Sequence, residues 1–310
     1  MKQKILLTGR NGQVGRELEQ LLPRLGEVIA LDRQQLDLAR PDEIRRVLRE
    51  VRPGLIVNAA AYTAVDQAEK EEEAARAINA EAPRVLAEEA KKIGAVLVHY
   101  STDYVFDGTK RAPYEEDDPP NPINAYGRTK LAGEQAIRET GVPHVIFRTE
   151  WVYARQGRNF LLTILRLATQ REELKIVSDQ IGAPTSSNDI ARGTTEILAK
   201  IFEPHGNGAP WPHVSGTYHL TAAGETNWYE FAKAILEEVS QVDSPAAWLS
   251  AATNARPLIA QRIIPIRTED YPTPARRPAY SVLSNARLAE TFDVKLPDWR
   301  TQLHALFSSE

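Results

Sequence analysis

Apolar positions in the first half of the chain alternate between two rhythms. Short apolar runs at Lys4–Thr8, Glu27–Leu31, Leu55–Ala60, Ala95–Ser101 and His144–Arg148 predict five strands. Between them, apolar residues return at helical spacing. Val14, Leu18, Leu21 and Leu22 predict the first helix. Pro41, followed by Asp42 and Glu43, opens the second, because acidic groups suit the positive end of a helix dipole. A helical stretch from about Glu73 to Ile93 is bent or broken at Pro83 and stops at Gly94. Ala125–Glu139 is helical again.

Strand and helix in this alternation imply right-handed crossovers and a parallel sheet with helices on both faces. The unbroken run Leu55-Ile56-Val57 suits a strand buried on both sides. The second half is less regular. Asn159–Gln170 and Ser187–Lys200 predict helices, and Leu174–Val177 and Thr217–Leu220 predict strands. Asn227, with Glu230 three positions on, opens another helix. Glu203–Val214 and Glu269–Pro278 are predicted loops. The expected organisation is residues 1–150 as a dinucleotide-binding domain, with segments near 160–180 and 220–240 packing back on it. Residues 151–310 form a largely substrate-binding, non-contiguous lobe.

Composition narrows the function. The 310 residues are 42% hydrophobic and 26% charged, as in ordinary globular proteins. A net charge of -4 argues against general nucleic-acid binding, which needs a basic excess. The chain has no cysteine, which removes disulfides, thiol nucleophiles and cysteine metal sites. No stretch reaches the roughly 18 apolar residues of a membrane span, and a cytoplasmic protein is expected. The six histidines show no zinc-ligand spacing.

The chemistry begins after the first predicted strand. Gly9, Gly12 and Gly15 form G-x-x-G-x-x-G, with Gln13 and Val14 opening the helix. Such a loop turns tightly, lets a pyrophosphate approach the backbone, and offers helix-start N–H groups to phosphates. Asp32 ends the second strand, where an acidic residue accepts from ribose hydroxyls. Arg33 beside it could meet a 2′-phosphate, so NADH and NADPH both remain open. Asp37 and Leu38 follow, where a loop could line the adenine. Tyr126 and Lys130 stand at i and i+4 on one helix face, downstream of Ser101-Thr102-Asp103 at a strand end.

These residues carry a resemblance. The stretches Thr8–Gly15, Val57–Glu69, His99–Gly108, Tyr126–Glu134, Phe147–Ala154, Asp179–Thr185 and Tyr271–Pro278 resemble the extended short-chain dehydrogenases/reductases, and among them the dTDP-4-dehydrorhamnose reductases. The resemblance spans essentially the whole chain. It implies a Rossmann-like doubly wound sheet with a smaller C-terminal lobe. It implies reduction of the C4 ketone of dTDP-4-dehydro-L-rhamnose by NADPH or NADH. Tyr126 would then be the proton donor, Lys130 would lower its pKa and hold the nicotinamide ribose, and Thr102 would polarise the carbonyl. Ala61, Tyr62, Thr63 and Tyr100 would line the cofactor. Asp103 and Trp151 would touch the substrate, and Arg276 and Arg277 would be candidates for its diphosphate.

Relatives can also carry Mg2+ on glutamates at a subunit contact, and a homodimer is open on that ground. Glu17 matches one such position, but Asn188 stands where a glutamate is expected, and no third ligand is evident. This weakens the case for Mg2+ without removing it, and no metal-ligand residues are assigned. Two alternatives stay open: a reductase of another nucleotide-linked keto-sugar, and a non-catalytic subunit resembling the methionine adenosyltransferase β subunit. The complete Thr102, Tyr126 and Lys130 set favours an enzyme.

Overall fold

The structure is a computed structural model, and it describes residues 3–202, 211–242, 244 and 246–308. The first half runs β1 (Lys4–Thr8), α1 (Gln13–Leu21), β2 (Glu27–Leu31), α2 (Pro41–Val51), β3 (Leu55–Asn58), α3 (Val65–Ala68), α4 (Glu72–Arg76), α5 (Ala82–Ile93), β4 (Val96–Thr102), α6 (Ala125–Thr140) and β5 (His144–Thr149). The second runs β6 (Val152–Tyr153), α7 (Phe160–Ala168), β7 (Glu173–Val177), β8 (Ile181–Gly182), β9 (Thr185–Ser186), α8 (Ser187–Phe202), α9 (Trp211–Val214) and β10 (Gly216–His219). It closes with β11 (Thr226–Asn227), α10 (Trp228–Ser240), α11 (Ala247–Thr253), β12 (Arg262–Ile266), α12 (Ala286–Phe292) and α13 (Trp299–Ser308).

Six parallel strands form the main sheet in the order β10-β5-β4-β3-β1-β2. Successive side chains on a strand point to opposite faces. Ile5, Leu7, Val57 and Val98 therefore meet Leu18 of α1 and Ile197 of α8 on one face. Leu6, Ile56, Leu97 and Ile146 meet Leu48 of α2 and Leu86 of α5 on the other. That is why these strands read as unbroken apolar runs. A buried bidentate ion pair, Arg148 to Glu134 at 2.9 and 2.7 Å, ties β5 to α6.

The helical stretch before Gly94 bends, but just ahead of Pro83. Residues 77–81 form a π-turn between α4 and α5, and Gly94 ends α5 in the left-handed conformation. The predicted loop at Glu203–Val214 lies outside the described residues, apart from the turn of helix α9.

A separate core unites Leu161 and Leu165 of α7, Leu174 and Ile176 of β7, Phe231 and Ile235 of α10, and Leu303 of α13. The segments that pack back on the sheet are α8 and β10. Of the segments expected there, 160–180 and 220–240, the parts in α7, β7 and α10 build the lobe instead, while Leu220 packs on the sheet core. The reason is pairing: β7 takes β12 as its parallel partner, and α10 seals the pair with its apolar face.

Candidate active site

In an open parallel sheet, ligands bind at the strands' carboxyl ends where the order reverses. Here that point lies between β1 and β3, and a cleft of about 640 Å3 opens there. Gly9, Gly12, Gln13, Val14, Asp32, Asp37, Leu38, Ala61, Tyr62, Thr63, Tyr100, Tyr126 and Lys130 all line it. Gly9 has φ +76°, and a Cβ there would lie 2.7 Å from the Ala60 nitrogen. Gly15 stands behind the lining, where a Cβ would come within 2.1 Å of the Gly9 carbonyl oxygen. One glycine thus shapes the turn and the other lets α1 close on it. Gly12 caps α1 without a side chain, so the first-turn N–H groups lack both intrahelical and side-chain partners. This cradle fits a dinucleotide's pyrophosphate.

Asp32 has a second employment. Its Oδ1 accepts from the Gln34 and Gln35 backbone at 2.9 and 3.1 Å, and its Oδ2 from Asn11 at 3.5 Å. The carboxylate builds its own turn while standing on the cleft wall, with Arg33 exposed beside it. Asn79, inside the π-turn, holds Tyr62 in place. It accepts from the Tyr62 N–H at 2.8 Å and donates to the Tyr62 carbonyl at 3.1 Å. Sequence spacing did not single out Asn79. Nor did it mark Asn11, Leu36, Gly157 and Arg158 as cleft lining. The last two come from a loop more than a hundred residues away in sequence.

Asn124 starts α6 by accepting from the Gly127 N–H at 2.8 Å, which fixes Tyr126 in the first turn. Tyr126 is half-buried, edge-on to Tyr104 at 5.9 Å between ring centroids. Burial and the Asp103 charge push its phenol up, and the Thr102 hydroxyl pulls it partly back. Lys130, one turn on, is buried. Its Nζ donates to the Tyr100 carbonyl at 2.6 Å and meets His99 Nε2 at 3.1 Å. Burial lowers its pKa to about 8, against the pull of Glu134. The Lys130 ammonium, expected to supply the charge that favours the phenolate, has His99 and the β4 backbone as its hydrogen-bond partners.

Thr102 ends β4 and donates to Asp103 Oδ1 at 2.9 Å. Burial raises the Asp103 carboxyl from 3.8 to about 7. Its neighbour Glu150 is buried too and is raised by burial and by Asp103. Glu150 accepts from the Ala183 and Leu283 N–H groups at 2.9 and 3.2 Å, joining both lobe segments to the end of β5.

Trp151, the next residue, has φ +45°, uncommon for a bulky side chain. Its indole stacks on Trp228 and closes on Gly182, where a Cβ would lie 2.5 Å away. Arg277 is engaged elsewhere, in a bidentate ion pair with Asp66 at 2.6 and 2.7 Å. Arg276 is exposed, and its carbonyl accepts from Asn124 at 2.9 Å, beside the start of α6. Asn188 donates to Glu17 at 2.9 Å, an amide where a cation's ligand would stand. Among the described residues no three carboxylates or histidines gather as a metal site.

A family model described as RmlD substrate binding domain matches residues 3–310. A dTDP-4-dehydrorhamnose reductase of Burkholderia thailandensis is 53% identical over 96% of this chain and 95% of its own. One from Escherichia coli K12 is 42% identical over 98% of each chain. The crystal structure of a Bacillus anthracis dTDP-4-dehydrorhamnose reductase in complex with NADP superposes with a TM-score of 0.86, at 35% identity and 99% coverage of both chains. With the glycine cradle, the Tyr126–Lys130 helix and matches of this extent, the chain belongs to the dTDP-4-dehydrorhamnose reductase family.

Proposed function

We propose that this protein reduces the C4 ketone of dTDP-4-dehydro-L-rhamnose to dTDP-L-rhamnose, with NADPH or NADH as reductant. The observation that carries the reading is the meeting of Tyr126 and Lys130 with the glycine cradle in one cleft, beside Thr102. The bound nicotinamide supplies a hydride to the carbonyl carbon. The chain supplies the rest. Thr102 Oγ1 donates to the ketone oxygen and polarises it. Tyr126 gives that oxygen its phenolic proton as charge develops, and regains a proton from solvent. Lys130 offers positive charge at the cleft and a donor for the nicotinamide ribose.

In this proposal the sheet domain, residues 1–150, holds the cofactor. The lobe closes over the nucleotide sugar through Trp151 and Arg276, opposite Asp103 at the end of β4. Arg277 serves the fold through Asp66. The residues hold no Mg2+ in this account. No helix among the described residues is long and apolar enough to cross a membrane. The cytoplasm is the proposed location and a homodimer the proposed assembly, the second checked by light scattering. The decisive assay mixes the protein, NADPH and freshly made dTDP-4-dehydro-L-rhamnose and follows nicotinamide absorbance. Product with the C4 ketone reduced to a hydroxyl supports the reading. No turnover with this sugar, and turnover with another nucleotide-linked ketone, replaces it.

A further inference from the structure

Four polar side chains form a buried chain that ends at the catalytic lysine. Thr8 Oγ1 and Asn58 Oδ1 are 2.6 Å apart, Asn58 Nδ2 and His99 Nδ1 3.0 Å, and His99 Nε2 and Lys130 Nζ 3.1 Å. None of the four residues is more than 2% exposed, and His99, which does not line the cleft, must match its two ring nitrogens to the protein groups beside them.

That matching selects one arrangement. Burial and the Lys130 charge hold the His99 ring neutral, with one N–H to place. If the Asn58 N–H faces Nδ1, the ring proton sits on Nε2 and points at the Lys130 ammonium, so two donors collide. An amide has nearly the same shape when turned end for end. With its oxygen facing His99, Nδ1–H donates to Asn58 Oδ1, and Nε2 accepts from Lys130 Nζ. Asn58 Nδ2 then donates to Thr8 Oγ1. Both nitrogens of the His99 ring are then matched, one donating and one accepting.

We propose that His99 is a positioning residue for the reduction: fixed by Asn58 as the Nδ1–H tautomer, it accepts from Lys130 and sets where the ammonium points. The inference rests on the catalytic role proposed for Lys130. The ammonium has three hydrogens. His99 and the Tyr100 carbonyl take two. Tetrahedral geometry leaves the third for the cleft, which Lys130 lines together with Tyr126. The other charged groups near this lysine are Glu134, one turn along α6, and Arg148 on β5, which is paired with Glu134. An acceptor at His99 favours the charged lysine. Its loss lowers the lysine pKa and frees the side chain to wander.

The test has two arms. Nitrogen-15 NMR of histidine-labelled protein, assigned by the signal lost in His99→Gln, reads the tautomer directly. The expected result is a protonated Nδ1 and a bare Nε2 from about pH 6 to 8, the range in which an ordinary histidine titrates. An Nε2–H tautomer or an imidazolium overturns the proposal. In the second arm, His99→Leu loses about tenfold to a hundredfold in kcat, the scale of a misplaced catalytic group. Its alkaline pH limb moves to lower pH, while KM for the sugar nucleotide changes little. His99→Gln, which keeps an acceptor oxygen, recovers most of kcat and the limb. A folded His99→Leu with wild-type kcat and pH profile overturns the proposal, as does a Gln variant no better than Leu. Where His99→Leu does not fold, the tautomer in the wild-type protein decides. Lys130→Ala keeps the two readings apart. Full turnover in that variant removes the catalytic role of Lys130, whatever the tautomer of His99.

Discussion

Trp151 stacks face to face on Trp228, with ring centroids 3.4 Å apart and planes 6° from parallel. One residue lies two past the end of β5 and the other opens α10 of the lobe. The pair therefore couples the end of β5 to the lobe. A left-handed backbone at a tryptophan costs about 1–3 kcal/mol, and such strain persists only where surrounding contacts over-determine it. The stack, the fit to Gly182 and the hydrogen bond from the Thr185 N–H to the Trp151 carbonyl at 3.3 Å supply those contacts.

Trp151→Ala should consequently lower both stability and sugar-nucleotide binding. Losing a packed aromatic costs up to about 3–5 kcal/mol, so a clear drop in Tm is expected together with a raised KM. Trp228→Ala should reproduce the drop in Tm. A Trp151→Ala protein with wild-type Tm contradicts the coupling; one with wild-type KM contradicts the binding role.

The two arginines of the Tyr271–Pro278 loop separate by partner. Arg277→Ala leaves Asp66 without its ion pair and the loop tied to α3 only through the Ala275 N–H, so Tm should fall. Arg276→Ala should leave Tm within about 1 °C, as exposed substitutions usually cost under about 0.5 kcal/mol. It should raise KM for the dTDP sugar and not for NADPH. The reverse pattern in paired melting and kinetic measurements would exchange their roles.

Buried carboxyls at the site give stability a pH dependence of definite sign. Asp103 binds its proton more tightly in the folded state, about 7 against an ordinary 3.8. The folded protein then holds more protons than the unfolded chain between those values, so stability falls as pH rises through that window. Burial and Asp103 raise Glu150 as well, which adds in the same direction. Chemical denaturation across this range should show a declining contribution, and Asp103→Asn should flatten it. An unchanged slope in Asp103→Asn would show that Asp103 is already ionised when folded.

The parallel sheet was legible because both of its faces are apolar. Leu55-Ile56-Val57 had to be buried on two sides, and the structure puts Ile56 against α2 and α5 and its two neighbours against the other face. The cofactor cradle was legible because its glycines are adjacent in sequence. Local rules do not report contacts that close over long separations. Asn58 and His99 are 41 residues apart, and Arg277 and Asp66 are 211 apart. Each looks like an ordinary strand or loop residue until the fold brings its partner. The lobe was obscure for the same reason, since β7 finds its partner β12 only across α8 and the whole of α10.

Cofactor choice should be broad. Asp32 is partly spent on its own turn, and Arg33 stands free of a fixed role at the cleft edge. NADPH and NADH should both support turnover, with kcat/KM differing by less than about three decades, or about 4 kcal/mol. Asp32→Ala should shift the balance toward NADPH and lower stability through the lost turn. A wider gap in wild-type protein means that one of the two residues dominates.

The central claim is that Tyr126 delivers the proton, and Tyr126→Phe tests it most directly. The substitution removes one hydroxyl from a half-buried ring and leaves its edge-on contact with Tyr104 available. Single-turnover rates should be measured with saturating NADPH and dTDP-4-dehydro-L-rhamnose, beside cofactor binding by fluorescence and melting on the same preparation. The account predicts a rate lowered by about 10²–10⁴-fold, with cofactor affinity and Tm near those of the wild type. A Phe variant that keeps more than half of the wild-type rate would contradict it.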